Sequence, residues 1–144
     1  MKKYLSVLLA VVLTLMLTGC GGKKLTCTKE EEEMGMKMQE KAIVSYSDDK
    51  ISKYTMEATI ELTEEMEEYA DEMLELLTEE MNMYEEIKGV EVNTEKKGNK
   101  IIATVVFNVD KMDEEDLDEI DDFDVNETIE EVKAELEEQG FTCK

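Results

Sequence analysis

The chain has 144 residues, 38 acids against 16 lysines and a formal net charge of −22, with no arginine, histidine, tryptophan or proline. A surface this anionic repels phosphate backbones, which excludes nucleic acid as a partner. Lacking histidine and arginine, the chain has no Ser–His or Cys–His nucleophile pair, no imidazole metal ligand and no bidentate clamp for carboxylate or phosphate.

Residues 1–19 have the form of a secretory leader. Lys2 and Lys3 precede the apolar run from Leu5 to Leu17, which is shorter than the about 20 residues a spanning helix needs and fits a signal h-region. The tetrapeptide Leu17-Thr18-Gly19-Cys20 matches a bacterial lipobox. Gly19 suits the peptidase subsite, cleavage follows it, and the Cys20 thiol takes a diacylglyceryl group. Two or more acyl chains anchor a protein stably, so the expected location is the extracytoplasmic face of the cell membrane, held through lipidated Cys20. The competing reading is a plain signal peptide with a chance cysteine.

Residues 20–33 then read as lipid anchor and tether, with Gly21, Gly22, Lys23 and Lys24 beside anionic headgroups. Residues 34–144 read as one domain, large enough for a single core. Met34, Met36, Met38, Ala42, Val44 and Tyr46 fall on even positions. After the polar cluster Ser47–Lys50, Tyr54, Met56, Ala58, Ile60 and Leu62 alternate with Thr55, Glu57, Thr59 and Glu61. That is a hairpin with one buried and one wet face.

At Thr63 the period becomes 3.6. Thr63 is the expected N-cap, and Met66, Tyr69, Met73, Leu77, Met81, Tyr84 and Ile87 form the expected buried stripe, closed by Lys88 and Gly89. A second strand pair begins at Val90, turns in "EKKGNK" and ends at Val109. Its last strand is apolar on both faces, which suits an interior position. An acidic stretch follows, then a helix capped by Asn126 and closed by Gly140. The fold class is therefore α+β. The expected sheet is mainly antiparallel and four-stranded, in the order β-β-α-β-β-α, with one long helix packed on it and a shorter C-terminal helix.

With Cys20 lipidated, Cys27 and Cys143 remain as an even pair outside the cytoplasm, where a disulfide would join the two ends of the domain. Two free thiols, or a thiolate metal site completed by carboxylates, are the alternatives. Met34, Met36 and Met38 put three thioethers on one strand face, the soft donor set that selects Cu(I). The plainer reading is that they are flexible core fillers, since methionine is this chain's preferred hydrophobe, and copper stays the alternative. Asp122, Asp124 and Asn126 have EF-hand spacing, but Glu127 occupies the glycine position and Lys133 the bidentate-glutamate position. A solvated acidic loop with weak Ca²⁺ affinity is the plainer reading. Ser45, Ser47 and Ser52 flank or occupy a turn. The chain has no CxxC pair and no glycine-rich phosphate loop.

Three stretches, "IVSYSDDKISKYTMEATI", "YEEIKGVEVNTEKKGNKIIATVVFNVDKMDEEDL" and "EVKAELEEQGF", resemble the YehR-like family of small bacterial lipoproteins. The most specific part is Tyr84 to Val90 followed by "NVDKMD". The resemblance implies a compact α+β domain on a lipid anchor and no assigned activity. Asp48 stands where that family's hairpin turn often has glycine. The expectation is thus a non-catalytic, cofactor-free lipoprotein that binds an envelope partner, with Asp110 to Asp124 as the partner surface. Metal handling, by copper or calcium, is the alternative.

Overall fold

In the computed structural model of the protein, residues 22–33, 35–118, 120 and 127–144 are described. The leader 1–19, Cys20, Met34 and the run Asp122–Asn126 lie outside them. Six strands form one antiparallel sheet in the order β4-β5-β3-β2-β1-β6. The strands are β1 (Lys23–Glu33), β2 (Met36–Ser47), β3 (Lys50–Glu61), β4 (Val90–Lys97), β5 (Lys100–Phe107) and β6 (Thr142–Cys143). The helices are α1 (Ala70–Glu85), α2 (Glu114–Asp118) and α3 (Ile129–Glu138).

The four-stranded sheet expected from sequence is therefore wrong by two strands, though the α+β class stands. The stretch assigned to a tether is β1. Its sequence, KKLTCTKEEEE, has only Leu25 and Cys27 as apolar residues, and both are buried. The rest is held by backbone pairing with β2, from Lys23↔Tyr46 to Glu33↔Met36. Ladder hydrogen bonds need no apolar side chain, and Glu32↔Lys37 and Lys29↔Glu40 add opposite charges across the pair. Strand β6 is two residues long and docks on β1 through Cys27↔Cys143 and Thr28↔Thr142.

Registers place one side chain of each strand on a common inner face. Val44, Tyr54, Phe107 and Val90 share one row, and Met38, Ile60 and Ile101 share another. The other face is mixed: Lys41 lies opposite Glu57 and Glu61 between Lys37 and Lys100, while Ile43, Val106 and Ile102 share that face. The helices lie over the inner face. The long helix α1 packs on β4 and β5, and α3 on β1 and β6. Under α3, Leu25, Ala42, Val44 and Ile51 meet Ile129, Val132, Leu136 and Phe141. Under α1, Leu62, Ala70 and Ile101 form one cluster, and Ile87, Val90, Val105 and Met112 another.

Two helix starts differ from expectation. Thr63 gives no side-chain cap to α1. Its carbonyl accepts from Met66 and Glu67 at 2.9 and 3.1 Å, and a 3₁₀ turn over Glu67–Tyr69 leads into the helix at Ala70. Leu62 and Ala70 are both buried beside Ile101, so the chain between these anchors must turn before the helix can run. The α3 cap is Thr128. Its hydroxyl accepts from the Glu131 N–H while the Glu131 carboxylate accepts from the Thr128 N–H, the reciprocal arrangement of a capping box. The β2–β3 turn uses Asp48 and Asp49 at φ +49° and +64°, both left-handed, as a type I′ hairpin turn requires.

Candidate functional site

Helix α1, ADEMLELLTEEMNMYE, carries six acids and no lysine. Ala70 is buried, and Met73, Leu74, Leu77 and Met81 pack partly against the clusters beneath. The large apolar residues exposed among those described all belong to this helix or its first turn. Tyr69 is 52%, Leu76 60%, Met83 68% and Tyr84 37% exposed. Tyr69, Leu76 and Met83 are seven residues apart, so they line up along the helix, with Glu80 between them and Glu72 and Glu79 alongside.

The direction of this arc follows from two contacts on the other side of the helix. The Thr78 and Thr94 hydroxyls are 2.6 Å apart, and Lys96 Nζ lies 2.7 Å from Asp71 Oδ1. Both partners belong to the edge strand β4. With the buried stripe over β5, the opposite flank turns toward β3 and the middle of the sheet. There the inner-face residues Met38, Glu40, Met56, Ala58 and Ile60 are only half-buried. Helix α1 sits over one end of the strand order and α3 over the other, and Leu117 packs against the clusters on both sides. We read this exposed flank of α1 and the half-buried Met38, Met56 and Ala58 beyond it as one side and the floor of a shallow trough, with the α1 carboxylates along its rim.

One ion pair lies on the far side. Lys29 pairs with Glu31 at 2.8 Å, and its ammonium lies 5.9 Å from the centre of the Phe141 ring. The Glu31 carboxylate holds the Lys29 pKa above the usual lysine value. Tyr54 is packed against the α3-side cluster, with its ring 6.3 Å from that of Phe107. Burial, with a smaller contribution from Glu135, pushes its phenol up to about 12.

The residues singled out by sequence scatter. Met36 packs on Leu62, Ala70 and Ile101, which takes its thioether into the core, whereas Met38 is half-buried at the trough floor. Met34 is outside the described residues, as are Gly19, Cys20, Asp122, Asp124 and Asn126. Among the described residues no group of three or more Cys, Asp or Glu side chains is placed to hold a metal ion. Ser52 Oγ donates to the Ser45 carbonyl at 3.2 Å. In the acidic stretch, Asp113 is tied to Lys88 at 2.7 Å.

The Cys27 and Cys143 sulfurs are bonded, with Cα atoms 4.0 Å apart. Thr26 and Lys144 exchange both backbone hydrogen bonds next to them, so the cysteines occupy the non-hydrogen-bonded pair, where opposite side chains come closest. A shallow pocket of about 330 Å³ lies near the β1–β2 hairpin. Met38 lines it along with polar residues, among which Gln39 pairs with Glu30 at 3.0 Å and Lys100 with Glu61 at 3.3 Å. Sequence reasoning missed the apolar arc. Its signal was the seven-residue recurrence of Tyr69, Leu76 and Met83, but Tyr69 had been assigned to the buried stripe.

The chain resembles proteins of known sequence and structure over nearly its full length. It is 29% identical over 147 residues to the uncharacterized lipoprotein Lin0239 of Listeria innocua, covering 98% of this chain and 95% of that one. It is likewise 29% identical over 150 residues to the uncharacterized lipoprotein Lmo0207 of Listeria monocytogenes, with the same coverage. A protein from Streptococcus pneumoniae TIGR4 solved by NMR shares the fold at a TM-score of 0.57, with 11% identity and 88% of each chain covered. The model of the family described as "Protein of unknown function (DUF1307)" matches residues 26–142, and the chain belongs to that family.

Proposed function

We propose that the protein is a lipid-anchored extracytoplasmic lipoprotein whose acidic domain binds a partner in the trough beside α1 and catalyses nothing. The observation that carries the binding reading is the concentration of exposed apolar side chains on one flank of one helix. It moves the partner surface from Asp110–Asp124 to α1, because Asp113 in that stretch is already paired with Lys88. The anchor rests on the Leu17–Cys20 pattern and on relatives named as lipoproteins. Among the described residues no helix is long and apolar enough to cross a membrane.

The mass of the native polypeptide tests the anchor. A chain beginning at Cys20 with added diacylglyceryl mass supports it. An intact leader, or a trimmed chain without fatty mass, overturns it. Cys20→Ala is expected to leave the membrane fraction.

A further inference from the structure

We propose that the α1 trough receives a cationic amphipathic peptide segment, with its apolar side against Tyr69, Leu76, Met83 and Met38 and its lysines or arginines against the flanking carboxylates. The inference deepens the binding reading above and rests on it.

The argument runs from charge to occupant. Six acids lie on α1 without one lysine, and four more, Glu64, Glu65, Glu67 and Glu68, lead into it. Of these, Asp71 is paired with Lys96, while among the described residues no lysine is paired with Glu72, Glu75, Glu79, Glu80 or Glu85. The helix therefore presents an apolar stripe between uncompensated negative charges. An anionic bilayer surface or a fatty acid would bring like charge against Glu72, Glu79 and Glu80. A second copy, docking by the same helix, would bring its own six acids. Each pays repulsion at the rim, and like charges set against one another select strongly against such partners. A cationic partner gains at the rim what these lose.

The apolar lining fits the same occupant. Met38 and Met83 have flexible, polarizable side chains that adapt to irregular apolar surfaces. Anchors at seven-residue spacing match the i, i+7 repeat of an amphipathic helix laid in a groove. Burial of Leu76 and Met83 supplies the apolar contact, and the carboxylates supply orientation and a fast encounter.

The test uses the mature full-length chain and three synthetic peptides, about 18 residues each, in titration calorimetry at about 150 mM salt. One is a Lys/Leu amphipathic helix, one has the same composition scrambled so that no apolar face forms, and one is a Glu/Leu amphipathic helix. The expected result is saturable one-to-one binding of the first alone. Leu76→Ser with Met83→Ser should weaken it about tenfold or more, with the far-UV dichroism unchanged because both side chains are exposed. Equal binding of the scrambled peptide, or no effect of the double substitution, overturns the proposal and leaves bulk charge attraction. Binding of the Glu/Leu helix at the trough overturns the cationic partner but keeps the trough as a docking site. Absence of binding by all three overturns the proposal and the binding reading together, while the anchor is judged separately by mass.

Discussion

Gly89 and Tyr54 each answer to a single physical constraint. Gly89 has φ +85°, and a Cβ there would lie 2.7 Å from Met112 Cγ and 3.0 Å from the Asn108 carbonyl oxygen. That carbonyl belongs to the backbone, and the Gly89 carbonyl itself accepts from the Asn108 N–H at 2.8 Å, so neither side can yield. Gly89→Ala is expected to cost about 2–4 kcal/mol, from strain and overlap together, read as a lower denaturant midpoint with unchanged slope. Tyr54 carries a pH dependence. Its folded pKa, about 12, lies above the ordinary tyrosine value of 10.0 because burial disfavours the phenolate. The stability it contributes is whole below pH 10 and falls as pH rises toward 12, since the unfolded chain releases the proton first. Alkaline titration at 295 nm is expected to show one tyrosine ionising late or only with unfolding, and Tyr54→Phe should remove that step.

Among the elements, β6 is the one least able to hold itself in place. Two residues of ladder give little cooperativity, yet β6 extends the sheet beyond β1 and follows directly on Phe141, a buried contact of α3. The Cys27–Cys143 bond, across 116 residues of sequence, constrains the unfolded chain strongly. Cys27→Ser with Cys143→Ser is expected to lower stability by about 2–5 kcal/mol. Hydrogen exchange should show the loss first in the Thr26 and Lys144 amides, which bond to each other's carbonyls. If reduction leaves both the denaturant midpoint and those amides unchanged, the tail is held by Phe141 instead. Capping belongs here too. The Thr128–Glu131 box was readable as a T-x-x-E pattern, and the nearby Asn126 drew the assignment away from it.

The whole molecule is governed by its charge. A net charge of −22 repels itself at short range, and salt screens that repulsion over about 10 Å at 0.1 M. The thermal midpoint is therefore expected to rise by about 5 °C between roughly 10 mM and 0.5 M sodium chloride. A flat or falling midpoint would mean that the surface ion pairs, such as Lys88–Asp113 and Lys96–Asp71, outweigh the repulsion. The same field keeps copies of the domain apart and draws cations toward α1.

Patterns with a short period were legible in the chain. The alternations from Met34 to Tyr46 and from Tyr54 to Leu62 place residues on two faces of a strand, and the 3.6-residue recurrence from Met66 runs a helix. Both repeats arise from bond geometry within each element; β2 and β3 lie where the alternation puts them, and α1 lies within the helical stretch but begins at Ala70, not after Thr63. The lipobox is also a local signal, since it addresses enzymes that act on an extended chain. What stayed hidden depends on neighbours. Strand β1 looks like a charged tether because its pairing with β2 runs through backbone groups that every residue carries. Tyr69, Leu76 and Met83 look like ordinary helix apolars. Their exposure arises because α1 settles over β4 and β5 while α3 settles over β1 and β6, and this flank of α1 packs against neither. That spacing is a balance among packing choices far apart in sequence, and no window of residues contains it.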